Sequence, residues 1–195
     1  MRRFLASAAL LAALTVPSFA ATTTWNIDPY HANAQFSVRH LGISNVQGEF
    51  TKVTGTVTID DADITKSSVN ASIDINSIDT RVTRRDDDLK SPDFFDAAKF
   101  PTMTFQSTKI VKTGEGTLKM TGNLTLKGVT KEVTFDVTGP TAPIKVAAAM
   151  GGMRRGVSAT GKINRQDFGV SKDPGMVGDE ISITLDLEMT PAAAK

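Results

Sequence analysis

The 195-residue sequence has no cysteine, two histidines, one tryptophan and one tyrosine. Without cysteine there is no disulfide framework, no thiolate nucleophile and no lipidated N-terminal cysteine, so the fold must hold through its core alone. With so few nitrogen and sulfur ligands, a transition-metal site would need carboxylates to complete it. Charge of one sign is missing too, since 22 Lys+Arg face 21 Asp+Glu. That balance leaves no electrostatic footprint for nucleic acid. No Gly-x-Ser-x-Gly elbow, His-Glu-x-x-His pair or glycine-rich phosphate loop occurs. Asp167-Phe168-Gly169 therefore reads as a turn, not as part of a phosphotransferase. Past residue 20 no run is long or apolar enough to span a bilayer as a helix, and there is no fixed-period repeat or linker.

The N-terminus has the features of an export signal. Arg2 and Arg3 precede an apolar stretch over residues 4–16, Pro17 breaks it, and Ser18-Phe19-Ala20 offers small residues around a cleavage point. Cleavage after Ala20 is expected, leaving one domain over residues 21–195. Losing Arg2 and Arg3 leaves 20 basic against 21 acidic residues, a net charge of −1. The expected location is the periplasm, or outside the cell if the source has a single membrane.

Most of the remaining chain alternates apolar and polar residues with a period of two, the mark of half-buried strands. Residues 25–28 read as a short first strand closed by Pro29. Ala34, Phe36, Val38 and His40 share the next inward face. Residues 46–60 read as one long strand whose phase slips between Phe50 and Val53, where a bulge or bend fits. Val69, Ala71, Ile73 and Ile75 follow, and Met103 and Phe105 start another strand. Leu118, Met120, Gly122, Leu124 and Leu126 alternate with polar residues, then Val133, Phe135 and Val137. Val157, Ala159, Gly161 and Ile163 precede a final face of Ile181, Ile183, Leu185, Leu187 and Met189. About eight antiparallel strands, each with one apolar face, make a sheet closed on itself or folded as a sandwich. Several inward positions are small: Ala34, Gly48, Gly55, Ala71, Gly122, Ala159 and Gly161. Spread over many strands, they favour a hollow interior over a solid one.

Residues 83–105 alone lack the two-residue period. Thr83 is placed to cap a short helix, with Asp86 three residues on, and Ser91-Pro92 stops it. Arg85 and Asp86 are suited to anchoring that helix to the barrel rim. Phe94, Phe95 and Phe100 need an apolar surface to cover, such as a barrel mouth. His31 reads as a hydrogen-bonded structural side chain, and Arg39 as an outer-face residue.

Several motifs, in order, resemble the YceI-like proteins. They are W-N-I-D-P-Y-H, F-S-V-R-H-L-G-I-S-N-V-Q-G-E-F, S-I-D-T, R-D-D-D-L-K-S-P-D-F-F-D, F-P-T-M-T-F, G-N-L-T-L-K-G-V-T-K-E-V and I-N-R-Q-D-F-G-V. The chain departs from the family's usual pattern at Ala32, often Ser, and at Asp88, often His. The resemblance implies an all-β fold, a single antiparallel eight-stranded lipocalin-like β-barrel with a short helical insertion. It further implies an apolar tunnel for an isoprenoid or another long-chain amphiphile, and a homodimer.

The expected role is thus binding: shielding, storing or carrying an apolar chain in an aqueous compartment, with transient membrane contact and no nucleic-acid partner. Strands of ~10 residues tilted by ~40° give a tunnel of roughly 25 Å, suited to a drawn-out chain. The residues expected against the lipid are Phe36, Val38, His40, Phe50, Val57, Ile73, Phe94, Phe95, Met103, Phe105, Met120, Leu124, Phe135 and Phe168. No catalytic residue, metal or cofactor is expected. The rival readings are an enzyme modifying such a lipid, and a lipid-free barrel that works through partner proteins.

Overall fold

The computed structural model describes residues 22–147, 149 and 152–193. The expected signal segment lies outside the described residues, as does the end of the C-terminal tail. The strands are β1 (Thr23–His40), β2 (Ser44–Phe50), β3 (Val53–Ile59), β4 (Ser68–Asp74), β5 (Ile78–Asp79), β6 (Thr102–Gly114), β7 (Thr117–Leu126), β8 (Val129–Thr138), β9 (Ile144–Lys145), β10 (Met153–Asn164) and β11 (Val177–Pro191). Among the described residues one α-helix, α1 (Thr83–Lys90), interrupts them.

Strand order and pairing give an antiparallel barrel. The path runs β11-β10-β8-β7-β6-β4-β3-β1, and β11 returns to pair with β1. β2 continues the place of β3: Thr23–Asn26 of β1 pair with β3, and Ala34–His40 pair with β2. The barrel therefore has eight staves, in agreement with the expected all-β fold. The long strand expected over residues 46–60 is this broken stave, interrupted at Thr51 and Lys52, where the apolar phase slips.

Two local readings are corrected. The first strand does not close at Pro29: β1 runs through it for 18 residues. Its register against β11 shifts between Ile27 and Ala32, and an irregular stretch of ladder tolerates the missing proline N–H. Nor does Thr83 cap α1. Val82 holds that position with no side-chain bond. Asp86 instead accepts from the Thr80 backbone N–H at 2.9 Å and from its hydroxyl at 2.5 Å. Arg85 completes the anchor, donating Nε to Thr80 Oγ1 and Nη2 to the Thr80 carbonyl, both at 2.8 Å. The helix is thus tied to the rim through both expected residues.

The two barrel ends differ. At one, Trp25, Ile59 and Met189 form a buried cluster, with Ile59 and Met189 fully enclosed. Arg155 lies over the Trp25 ring, 5.1 Å from its centroid, and Nη2 meets both Asp61 carboxylate oxygens at 2.8 Å. That end is strapped shut. At the other end stand α1, the turns of residues 91–100 and the 3-10 turn Arg165–Phe168.

Candidate functional site: an apolar cavity inside the barrel

The inward faces do not meet at the centre. They leave a cavity of about 240 Å³. Its wall runs from Ile59, Ile64 and Met189 at the strapped end to Leu89, Phe94, Phe95, Val38 and Val177 at the other. The wall is apolar because every stave contributes its buried alternate face, and polar alternates such as Thr54, Thr56 and Asp136 face water.

Glycine shapes this wall in a way the sequence reading missed. A Cβ on Gly48 would stand 2.5 Å from Phe36 Cζ, and one on Gly161 would stand 2.6 Å from Phe135 Cδ1. Gly122 is covered by the Phe105 ring in the same way. Each ring lies down on the bare backbone of a neighbouring strand instead of standing in the lumen, the arrangement by which aromatics rescue strand glycines. Gly55 is covered by the backbone of Asn70 and Ala71. These glycines do not themselves border the cavity; of the small positions only Ala34, Ala71 and Ala159 do. Further ring contacts brace the wall, Phe36 with Phe50 at 5.8 Å, Phe50 with Phe95 at 6.0 Å and Phe105 with Phe135 at 5.5 Å between centroids.

Of the residues expected against a lipid, Phe36, Val38, Phe50, Val57, Ile73, Phe94, Phe95, Met103, Phe105, Met120, Leu124 and Phe135 line this cavity. Two do not. His40, the last residue of β1, follows a register shift after Val38 and does not border the cavity, although Val177 opposite it on β11 does. Phe168 is only 2% exposed, yet it packs into the core from the 3-10 turn and stays behind the wall. The reading also passed over Ile181, Ile183, Leu185 and Leu187 of β11, which line the cavity. Their alternation is as clear as that of Phe36 and Val38, so the same period-two signal places them on the inward face.

Arg165 is the one charged side chain on the described wall. It is 4% exposed, and its donors are taken. Nε donates to the Gly178 carbonyl at 3.0 Å, Nη1 to Val170 and Lys172 at 2.8 Å each, and Nη2 to Val177 at 3.0 Å. Nη2 also stands 3.4 Å from Asp179. With four N–H groups donating to backbone carbonyls and the charge paired with Asp179, the guanidinium braces the loop before β11 and is not free to hold a ligand head group. The other polar side chains that border the cavity are Gln35, Ser67 and Thr104. No Asp, Glu, His, Lys or Tyr stands on the described wall, so it offers no general acid or base for proton transfer.

A separate polar cluster lies on the barrel's outside. His31 Nδ1 stands 3.2 Å from Asp28 Oδ2 and 4.0 Å from Glu188, so His31 is hydrogen-bonded as expected. Oxygens or nitrogens of the three lie within 4.8 Å of one another, a spacing a metal ion could use. Arg154 already supplies a cation there, with Nη2 3.6 Å from Asp28 Oδ2 and Nε 3.8 Å from Glu188. The Tyr30 backbone N–H, first, and then His31 and Arg154 hold the Asp28 carboxyl below the usual carboxylate range. The cluster is explained as a charge network.

Comparison with known proteins agrees with this architecture. Residues 25–189 match a family described as the YceI-like domain. A UPF0312 protein of Enterobacter sp. strain 638 is 37% identical over 194 residues, 96% of this chain and 97% of that one. The crystal structure of Burkholderia cenocepacia BcnA superposes with a TM-score of 0.73 at 27% identity, covering 83% of this chain and 98% of that one. A polyisoprenoid binding domain from Saccharophagus degradans, implicated in plant cell wall breakdown, shares the fold at 15% identity, with a TM-score of 0.65 over 87% of this chain and 99% of that one.

Proposed function

The chain belongs to the YceI-like family, and from that premise we propose that its barrel binds a long-chain isoprenoid, or an apolar amphiphile of similar shape, and shields it in the periplasm. The observation that carries this reading is the wall: apolar but for Gln35, Ser67 and Thr104, with its only described charge held by four backbone carbonyls and Asp179. Such a site selects for hydrocarbon and leaves a polar head at the capped end, facing water. Burial of each methylene contributes about 0.8 kcal/mol, so a chain of some tens of carbons has ample gross driving force. Ordering of chain and side chains takes back a large part of it. The polyisoprenoid-binding domain that shares this fold supports the choice of ligand class. Export rests on residues 1–20, and a homodimer is part of the same proposal.

The test is to purify the mature protein from its own host, extract it with organic solvent and identify the extract by mass spectrometry. One long-chain lipid per barrel is expected, with native mass spectrometry showing the same adduct. Adduct-free protein that also refuses added polyprenyl alcohols would defeat the proposal.

A further inference from the structure

Two loops beside the capped end carry apolar side chains that the fold leaves in water. At the β1–β2 turn Leu41 is 49% and Ile43 77% exposed, and Met176, just before β11, is 50% exposed. The Leu41 N–H donates to the Met176 carbonyl at 2.7 Å, which locks the two loops into one patch. The patch continues the cavity wall, since Val38 and Val177 line the cavity on the strands that lead into it.

The turn is not built for folding alone. Leu41 and Gly42 both have positive φ, 52° and 71°, and the Ile43 N–H closes onto the His40 carbonyl at 3.1 Å. The ladder closes at His40 and Ser44, so the tip is a three-residue loop, and a leucine Cβ is disfavoured in the left-handed region that asparagine and glycine tolerate. Beside it, Arg39 donates Nε to the Gly42 carbonyl at 3.3 Å and Nη1 to Asn45 Oδ1 at 3.1 Å. The guanidinium is thereby held at the tip, and it enters no salt bridge among the described residues.

We propose that this tip docks the barrel on an anionic lipid bilayer. Leu41, Ile43 and Met176 enter the boundary between head groups and acyl chains, and Arg39 meets a lipid phosphate. Apolar tips beside an uncompensated cation have the composition of an interfacial anchor. The inference rests on the lipid-binding reading for its purpose: docking lets hydrocarbon pass between bilayer and cavity without crossing water, where exposed methylenes are unfavourable. A second copy is the poorer occupant. Three side chains fall short of the ~800 Å² per partner of a stable interface, and two-fold pairing would oppose two Arg39 charges.

The experiment is co-sedimentation of lipid-free protein with phosphatidylcholine vesicles, with and without phosphatidylglycerol. Wild type should bind the anionic vesicles, less so as salt rises. The Leu41→Asn/Ile43→Thr double variant should lose about tenfold or more in vesicle binding. It should melt no lower than wild type, because asparagine tolerates the left-handed φ at position 41 better than leucine does. Arg39→Gln should lose only the preference for phosphatidylglycerol. Uptake of a polyprenyl alcohol from detergent micelles should be the same for all three proteins. Wild type that takes up the alcohol but binds no vesicles overturns the docking proposal and leaves the lipid-binding reading standing. Vesicle binding without any uptake does the reverse. Unchanged vesicle binding by the double variant, or its conversion of a dimer to monomers, also overturns docking.

Discussion

Lys172 Nζ stands 3.1 Å from Asp93 Oδ2, so the loop before β11 grips the segment that caps the barrel. A second grip comes from Lys127, whose Nζ donates to the Pro92 carbonyl at 3.0 Å. On either side of these points along the chain, Leu89, Phe94 and Phe95 face the cavity. The cap is therefore held by exposed polar contacts at its edges and by aromatic rings beneath. Exposed ion pairs contribute about 0–1 kcal/mol, so the edges can open at little cost to the rest of the fold.

The first prediction concerns that cap. Phe95 is half-buried against Phe50, whereas Phe94 is 6% exposed and belongs to the main core cluster. Phe95→Ala should raise the rate at which a fluorescent polyprenyl analogue leaves for acceptor vesicles by about tenfold, the equivalent of ~1.4 kcal/mol. Phe94→Ala should in addition cost about 3–5 kcal/mol of stability, as a core truncation does. Lys172→Ala should speed release with little change in the melt. The Asp93 hydrogen bond, and next its charge, raise the Lys172 pKa, so this grip is whole below the usual lysine value of 10.5 and fades only as pH climbs past the raised one. Release rates should accordingly be flat from neutral pH to about pH 9. If both phenylalanine variants lose stability and neither releases faster, the cap is ordinary core.

Filling the barrel should have opposite effects at two small residues. Ala159 borders the cavity, so Ala159→Leu points new volume into open space and should reduce polyprenyl uptake more than stability. Gly122 sits under Phe105 and against the Gln106 carbonyl. Gly122→Leu must displace the ring and the adjacent strand, and overpacking of this kind costs about 1–3 kcal/mol or more. Urea melts run beside uptake assays separate the two, and equal effects on both quantities would count against a hollow centre.

A third prediction tests the rim anchor. Asp86→Ala leaves the buried Thr80 N–H and hydroxyl without their acceptor and should destabilise the protein by about 1–3 kcal/mol. Asp86→Asn keeps an acceptor oxygen and should recover a large part of that loss in the same urea melts. An Asp86→Ala protein as stable as wild type would show that the anchor contributes nothing.

Acid stability should report on the outer charge network. The folded state lowers the Asp28 pKa, chiefly through the Tyr30 N–H, so its contribution is present above the ordinary value of 3.8. It is lost as pH falls through the lower folded value. Melting temperatures followed from about pH 6 down to pH 2 should drop less steeply for Asp28→Asn than for wild type on that acid limb. Parallel curves would mean that other carboxylates govern it.

The staves were legible because each buries one face, which writes a period of two into the sequence, as in Leu118, Met120 and Leu124. The break at Thr51 and Lys52 was legible for the same reason, as a slip of that period. The features that escaped depend on geometry that periodicity does not encode. Whether β1 stops at Pro29 is decided by a register shift against β11, a strand far away in sequence. His40 keeps the inward phase in the sequence, but the register against β11 shifts between Val38 and His40, and His40 does not border the cavity. Gly122 and Gly161 read as empty space, yet the rings that cover them come from neighbouring strands. Thr83 read as the helix cap, but Val82 holds that position, and Asp86 turns back to the buried Thr80 N–H in the anchoring role also expected of it.

Closure between β1 and β11 pairs Trp25 with Pro191, and the Ala192 N–H reaches the Thr24 carbonyl at 2.9 Å. The two ends of the folded domain are thus neighbours, and the seam needs the last strand before the first can be covered. Until β11 arrives, β1 and β10 would both present unpaired edges, the surfaces through which sheets aggregate. A ring closed this late should make folding slow and all-or-none with respect to chain length. Joining the neighbouring ends and cutting instead at the exposed turn around Glu115 would move that seam to β6 and β7 and leave the cavity wall untouched.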